Sequence, residues 1–169
     1  MNNTPEQQRK LPMKKSWSTL VLIVISLLVT TTALFGWLGI PGTGGAAAPK
    51  SVIATAGKVS IPLSELNDDQ AHFYAYKGQA GLIPFFVIKG KDGTLRAAFD
   101  ACDVCYKEKK GYAQQGEEMI CKNCNQTFPV AKIGMVSGGC NPSPLKMALS
   151  GTTLDIAVGD LEAGAHYFR

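Results

Sequence analysis

Five cysteines lie between positions 102 and 140, and their spacing constrains this chain more than any other feature. Cys102 and Cys105 form one CxxC pair and Cys121 and Cys124 form another. Fifteen residues separate the two pairs, and fifteen more precede Cys140. Two residues between thiolates let one tight turn direct both sulfurs at one ion, and two such turns can supply four sulfurs. The spacing predicts that the four paired cysteines share a metal ion or a metal cluster.

The spacing alone does not choose the metal. Four thiolates suit structural zinc, a rubredoxin-like iron or an iron–sulfur cluster. Two structural disulfides are an alternative in an oxidising compartment, and thiol–disulfide exchange is another. Exchange is disfavoured because a reactive CxxC usually begins a helix, whereas Cys102 follows a predicted strand and no helical pattern comes after it.

The N-terminal part of the chain predicts a membrane anchor. Residues 20–40 are an almost continuous apolar run, and a helix of about 20 apolar residues spans the hydrocarbon core of a bilayer. Residues 1–18 carry four basic side chains and one acidic one, which predicts a cytoplasmic N-terminus. We expect a transmembrane helix over 19–41. A signal peptide cleaved after Ala48 is the alternative, disfavoured by Pro49.

Residues 42–50 are predicted to be a flexible linker, because glycine and alanine dominate them. Residues 51–169 are then predicted to be one extracytoplasmic domain. Residues 50–169 hold 13 basic and 12 acidic side chains, which excludes the charge pattern of a nucleic-acid-binding domain. The whole chain is 46% hydrophobic and 18% charged, which excludes a disordered protein.

The pattern of this domain is mainly β. Residues 83–88 are apolar, a turn at Asp92–Gly93 follows, and residues 94–99 can return as the partner strand. A second hairpin is predicted over 111–120 with Gly116 near its turn, and further strands near 70–76 and over 152–158. Only about the last ten residues suggest a helix. We expect a small, mostly β domain with the cysteines on its loops.

Three segments resemble one known family. They are IPFFVIKGKDGTLRAAFDACDVCYKEKKGY, MICKNCNQTFPVAKIG and SGGCNPSPL. Together they are similar to the FtrD-like membrane iron–sulfur proteins, over roughly residues 52–169. The resemblance implies that Cys102, Cys105, Cys121 and Cys124 bind an iron–sulfur cluster. Cys140 belongs to the same motif and is expected beside the cofactor.

The same resemblance implies a function. Members of the family accompany bacterial high-affinity iron uptake, so we expect a single-pass protein of the inner membrane, with its C-terminal domain periplasmic or extracellular. It would be an electron carrier rather than an enzyme with its own substrate. A redox partner protein, such as an iron permease system, is implied. One departure is Asn125, which stands where glycine is expected after the second CxxC; asparagine tolerates positive φ better than most residues.

A second, weaker similarity is to Rieske-type domains. The order of a hairpin, two ligand loops, a proline loop and a closing strand is the same, but Rieske loops carry one cysteine and one histidine each. Cysteine occupies all four matching positions here, which should lower the potential of the centre. A Rieske-like fold is therefore a hypothesis.

Other residue patterns favour less specific roles. The two histidines, His72 and His166, are each expected to be ordinary surface or core residues rather than ligands. Four lysines flank the CxxC pairs and could either neutralise the thiolates or form a solvated patch: Lys107, Lys109, Lys110 and Lys122. No hydrolytic motif is present in the sequence. A structural zinc site on an interaction module is the main alternative function.

Overall fold

The computed structural model describes residues 48–169. The predicted membrane segment over 19–41 lies outside these residues, as do residues 1–18 and most of the 42–50 linker. Within 48–169, no helix has the length and apolar character needed to cross a membrane.

Within residues 48–169, ten strands form three small sheets, so the mainly β prediction is confirmed. The first sheet has the order β1-β3-β4-β5, in which β1 runs parallel to β3 and the other neighbours are antiparallel. Its strands are β1 (Lys50–Val52), β3 (His72–Gly78), β4 (Gly81–Lys89) and β5 (Leu95–Phe99).

The other two sheets are antiparallel and have three strands each. One has the order β2-β10-β9, with β2 (Lys58–Pro62), β9 (Ala148–Ser150) and β10 (Thr153–Ala157). The last has the order β6-β7-β8, with β6 (Tyr112–Gln115), β7 (Glu118–Cys121) and β8 (Thr127–Pro129). We call this last one the cysteine sheet, because β7 ends at Cys121.

Strand β4 is buried on both faces and divides the core in two. Side chains of consecutive strand residues point to opposite faces. Phe85 and Val87 pack in one cluster with side chains of β2 and β10, whereas Phe86 and Ile88 pack in a second cluster with the cysteine sheet. All four side chains are fully buried. This explains why residues 83–88 are continuously apolar rather than alternating.

Both predicted hairpins are present. The turn between β4 and β5 contains Gly93 at φ 76°, and the Arg96 guanidinium donates two hydrogen bonds to the Asp92 carboxylate at 2.6 and 3.0 Å. The turn between β6 and β7 contains Gly116 at φ 59°.

The end of the chain differs from the predicted strand over 152–158. Strand β10 ends at Ala157, and Val158 begins a short helix, α1 (Val158–Ala163). A 3₁₀ turn, Ala165–Phe168, follows it. The predicted helical tendency near the C-terminus is confirmed. Strands β1, β8 and β9 were not predicted, because each has only three residues and shows no readable alternation. Strand β2 was missed although Val59 and Ile61 alternate with exposed residues.

Candidate metal centre

The first CxxC pair lies directly after β5. The Asp100 N–H donates to the Pro84 carbonyl at 3.1 Å, which extends the pairing of β5 with β4 up to the loop. Within the loop, the Cys105 N–H donates to the Cys102 sulfur at 3.1 Å. This hydrogen bond would stabilise the negative charge of a Cys102 thiolate. It also closes the turn that brings the two sulfurs together.

The second CxxC pair forms a similar turn at the end of β7. The Asn125 N–H donates to the Cys121 carbonyl at 2.8 Å, and the Cys121 N–H donates to the Gln126 carbonyl at 2.9 Å. Asn125 has φ 58°, in the left-handed region. The expectation that asparagine here adopts the conformation usually taken by glycine is confirmed.

The conformation of Asn125 can be tested by substitution. We expect Asn125→Gly to bind metal as well as the native protein and to be at least as stable, because glycine adopts positive φ freely. We expect Asn125→Val to lower the free energy of unfolding by about 1–2 kcal/mol, since a left-handed conformation costs that much for ordinary residues. Metal content and thermal unfolding of both variants measure this. Equal unfolding free energies of the two variants would contradict the prediction.

Cys140 is brought to the same place by a third loop, residues 138–143. The Ser143 N–H donates to the Ala101 carbonyl at 2.9 Å, and the Phe99 N–H donates to the Ser143 carbonyl at 2.8 Å. The buried Tyr112 hydroxyl donates to the Cys140 carbonyl at 2.6 Å. Hydrogen bonds therefore tie this loop both to the segment that leads into Cys102 and to the cysteine sheet.

The five sulfurs form two overlapping groups of three. Within each group every sulfur lies within 4.8 Å of the others; one group is Cys102, Cys105 and Cys140, and the other is Cys105, Cys121 and Cys124. Cys105 belongs to both groups, and its sulfur lies 3.6 Å from that of Cys140. Cys102 and Cys121 are buried, whereas Cys124 is exposed. The structure thus brings together all five predicted site cysteines.

The surroundings of the thiols are not uniform. Burial raises the pKa of the Cys121 thiol to about 11, and burial together with the neighbouring Cys124 and Cys105 thiols raises the pKa of Cys140. The pKa of Cys124 is lowered, chiefly because the Gln126 N–H donates to its sulfur. Close thiols that resist ionisation are typical of a site that needs a cation before all of them become thiolates.

A protein-family model with the description "Membrane iron-sulfur containing protein FtrD-like" matches residues 66–168, which is more than half of the chain. The chain belongs to the FtrD-like family. No curated protein and no solved structure matches it. The FtrD-like resemblance is confirmed, while the Rieske-like fold stays a prediction.

The donor set fits the iron–sulfur chemistry named in the family description. All five cysteines of this FtrD-like protein are free thiols, and no disulfide occurs within residues 48–169. A cavity of about 170 Å³ lies beside three of the thiols, Cys102, Cys105 and Cys121. Thiolates are the usual ligands of iron–sulfur clusters. The cysteine groups can therefore hold a metal, and the space beside them is available to non-protein atoms.

The histidines lie apart from the cysteine groups. His72 shares a hydrogen bond of 2.6 Å with the Asp68 carboxylate, and His166 Nδ1 lies 3.0 Å from the Ala163 carbonyl. Neither belongs to a metal-ligating group among the described residues. All four lysines that flank the CxxC pairs are exposed: Lys107, Lys109, Lys110 and Lys122.

Asp100 and Tyr112 position the site, and sequence reasoning did not find these roles. The Tyr112 N–H donates to the Asp100 carboxylate at 2.7 Å, while the Tyr112 hydroxyl reaches Cys140. Gly111 has φ 65°, and a Cβ there would collide with the Asp100 carboxylate. A carboxylate two residues before a CxxC and a Gly–Tyr pair that begins six residues after it are each common, so the sequence carries no signal that they meet.

Proposed function

We propose that this protein is a membrane-anchored iron–sulfur protein that transfers single electrons. The observation that carries the proposal is the convergence of five thiols from three loops in a member of a membrane iron–sulfur protein family. An iron–sulfur cluster supplies reversible one-electron chemistry when it is bound. The sequence contains no hydrolytic motif, and we propose a carrier rather than an enzyme.

The chain's contribution is to bind and to shape the environment of the cofactor. Cys102, Cys105, Cys121 and Cys124 are the proposed ligands, with Cys140 beside them. Burial of Cys102 and Cys121 keeps water from one side, and exposure of Cys124 leaves one edge of the site open to a partner. Backbone N–H groups directed at the sulfurs stabilise the thiolates, and such bonds are among the factors that set a cluster potential.

The exposed lysines indicate the type of redox partner. Lys107, Lys109, Lys110 and Lys122 follow or lie within the CxxC loops, and all are exposed. These four lysines outnumber the exposed acidic residues of the same loops, Asp103 and Glu108. The net positive charge favours a partner with an acidic surface, because complementary charge speeds association. We propose that this partner belongs to an iron-uptake system, such as an iron permease.

The proposed arrangement in the membrane follows from the sequence pattern. Residues 1–18 would be cytoplasmic, residues 19–41 would cross the inner membrane, and residues 42–50 would link the anchor to the domain over 51–169. The domain would then lie at the outer face of the inner membrane. The family description names a membrane protein, which supports the presence of a membrane anchor.

Metal and inorganic sulfide analysis tests the proposed cofactor. The full chain, purified in detergent without oxygen, is expected to contain iron together with inorganic sulfide and to absorb visible light that bleaches on reduction. The matched control is the variant with all five cysteines replaced by serine, which should contain neither. Stoichiometric zinc without sulfide would overturn the proposal and favour a structural zinc module.

A further inference from the structure

The distribution of the five sulfurs carries information on the number of metal ions. One tetrahedral ion with metal–sulfur bonds near 2.3 Å needs four sulfurs that all lie about 3.8 Å from one another. Among residues 48–169, which include every cysteine of the chain, no group of four thiols lies mutually within 4.8 Å. The four paired cysteines therefore do not form the compact set that a single zinc or iron ion requires.

Two overlapping sets of three describe the sulfurs instead. The set of Cys105, Cys121 and Cys124 combines one cysteine of the first CxxC with both of the second. The other set contains Cys102, Cys105 and Cys140. Three thiolates leave one position of a tetrahedral ion open, and sulfide is the usual non-protein ligand of iron in such sites. The arrangement suits two neighbouring metal positions that share a thiol.

Cys140 is built into this arrangement rather than placed near it by a loose loop. Its carbonyl accepts the Tyr112 hydroxyl, and the following residues pair with the segment before Cys102. Its sulfur lies 3.6 Å from that of Cys105, which is close to the spacing of two ligands on one tetrahedral ion. At this distance either thiol can donate a hydrogen bond to the other sulfur. When both are thiolates they repel each other unless a cation lies beside them.

We propose that the centre contains two iron ions, that Cys105 contacts both metal positions, and that Cys140 is a ligand of one of them. The inference rests on the proposed iron–sulfur function and adds the number of ions and the fifth ligand. The two CxxC pairs then have different roles. The first pair and Cys140 form one set of ligands, and the second pair and Cys105 form the other.

The first test is iron stoichiometry of the full chain in detergent, purified without oxygen. We expect two irons per chain. Four irons per chain would overturn the inference and leave the electron-transfer function intact. Zinc without iron or sulfide would overturn both, so the failure of the inference and that of the proposed function are distinguishable.

The second test asks whether Cys140 is a ligand. We expect Cys140→Ser to shift the visible and electron paramagnetic resonance spectra of the centre, whereas Ser137→Ala, at an exposed position just before the Cys140 loop, leaves them unchanged. Unchanged spectra in Cys140→Ser would overturn the inference.

A measurement on the native protein covers the case in which Cys140→Ser does not fold. Alkylation of the loaded chain, followed by peptide mapping, should leave Cys140 unmodified, and removal of iron with a chelator should make it reactive. The exposed fraction of Cys140 is intermediate, so the reagent can reach the empty site. Equal alkylation of Cys140 before and after iron removal would overturn its assignment as a ligand.

Discussion

Replacement of Cys105 by serine is expected to cause the largest loss of metal of any single substitution in this protein. Cys105 is the one thiol that belongs to both groups of three, whereas Cys124 belongs to one. Even residues that only orient metal ligands cost about 10–100-fold in affinity when replaced. We therefore expect iron in Cys105→Ser to fall to about a tenth of the native content or less, and Cys124→Ser to retain more.

Iron content per chain, measured on full-length protein purified without oxygen, checks this order. Val104→Ala is the matched control, because Val104 lies between the first two cysteines and is 63% exposed, so its loss should not alter the thiols. If Cys124→Ser lost as much iron as Cys105→Ser, membership of Cys105 in both groups would not strengthen iron binding, and the prediction would be wrong. If Val104→Ala lost iron too, the loop rather than the thiol would be responsible.

Two glycines near the C-terminus are expected to respond to alanine with opposite signs. Gly164 has φ −89°, so its backbone tolerates any residue, but an added Cβ would overlap the ring of the buried Phe99. That ring packs against Tyr167 at a centroid distance of 6.0 Å and cannot easily move. Overpacking of this kind costs about 1–3 kcal/mol, so Gly164→Ala should destabilise the domain.

Gly159 is the matched control for this substitution. It is the second residue of α1, and apart from its chain neighbours and the backbone of its own helix nothing lies within 4 Å of the position of an added Cβ. Alanine is favoured over glycine in helices by about 0.5–1 kcal/mol, so Gly159→Ala should stabilise the domain slightly. The midpoints of thermal unfolding of both variants in the same detergent check the prediction. Equal shifts of the two midpoints would contradict it.

The elements that could be predicted are those in which several local signals agree. The run over 83–88 is apolar because β4 is buried on both sides, and the turn at Asp92–Gly93 has the residues that such a turn needs. The left-handed conformation of Asn125 could also be predicted, since asparagine tolerates positive φ better than most residues and stands where glycine is expected. Each of these properties depends on residues that are close in the chain.

The properties that could not be predicted depend on distant residues. The parallel pairing of β1 with β3 joins Lys50 to Tyr74, and nothing in three residues specifies such a partner. Val158 continues the apolar alternation of β10, yet its N–H donates to the Gly57 carbonyl and it begins α1. The position of Cys140 beside Cys105 depends on the Tyr112 hydroxyl, 28 residues away.

The two-sided burial of β4 has a consequence for how the protein loses structure. The buried thiols, Cys102 and Cys121, belong to only one of the two core clusters, the one that contains Phe86 and Ile88. The other cluster contains Phe85, Val87 and residues of β2 and β10, and has no cysteine. The two clusters share only the central sheet, and parts of a protein with different contacts can open at different free energies. Loss of the cofactor would then loosen one half of the domain while the other half kept its fold, and the half that remained folded could serve as a template on which an emptied site is rebuilt.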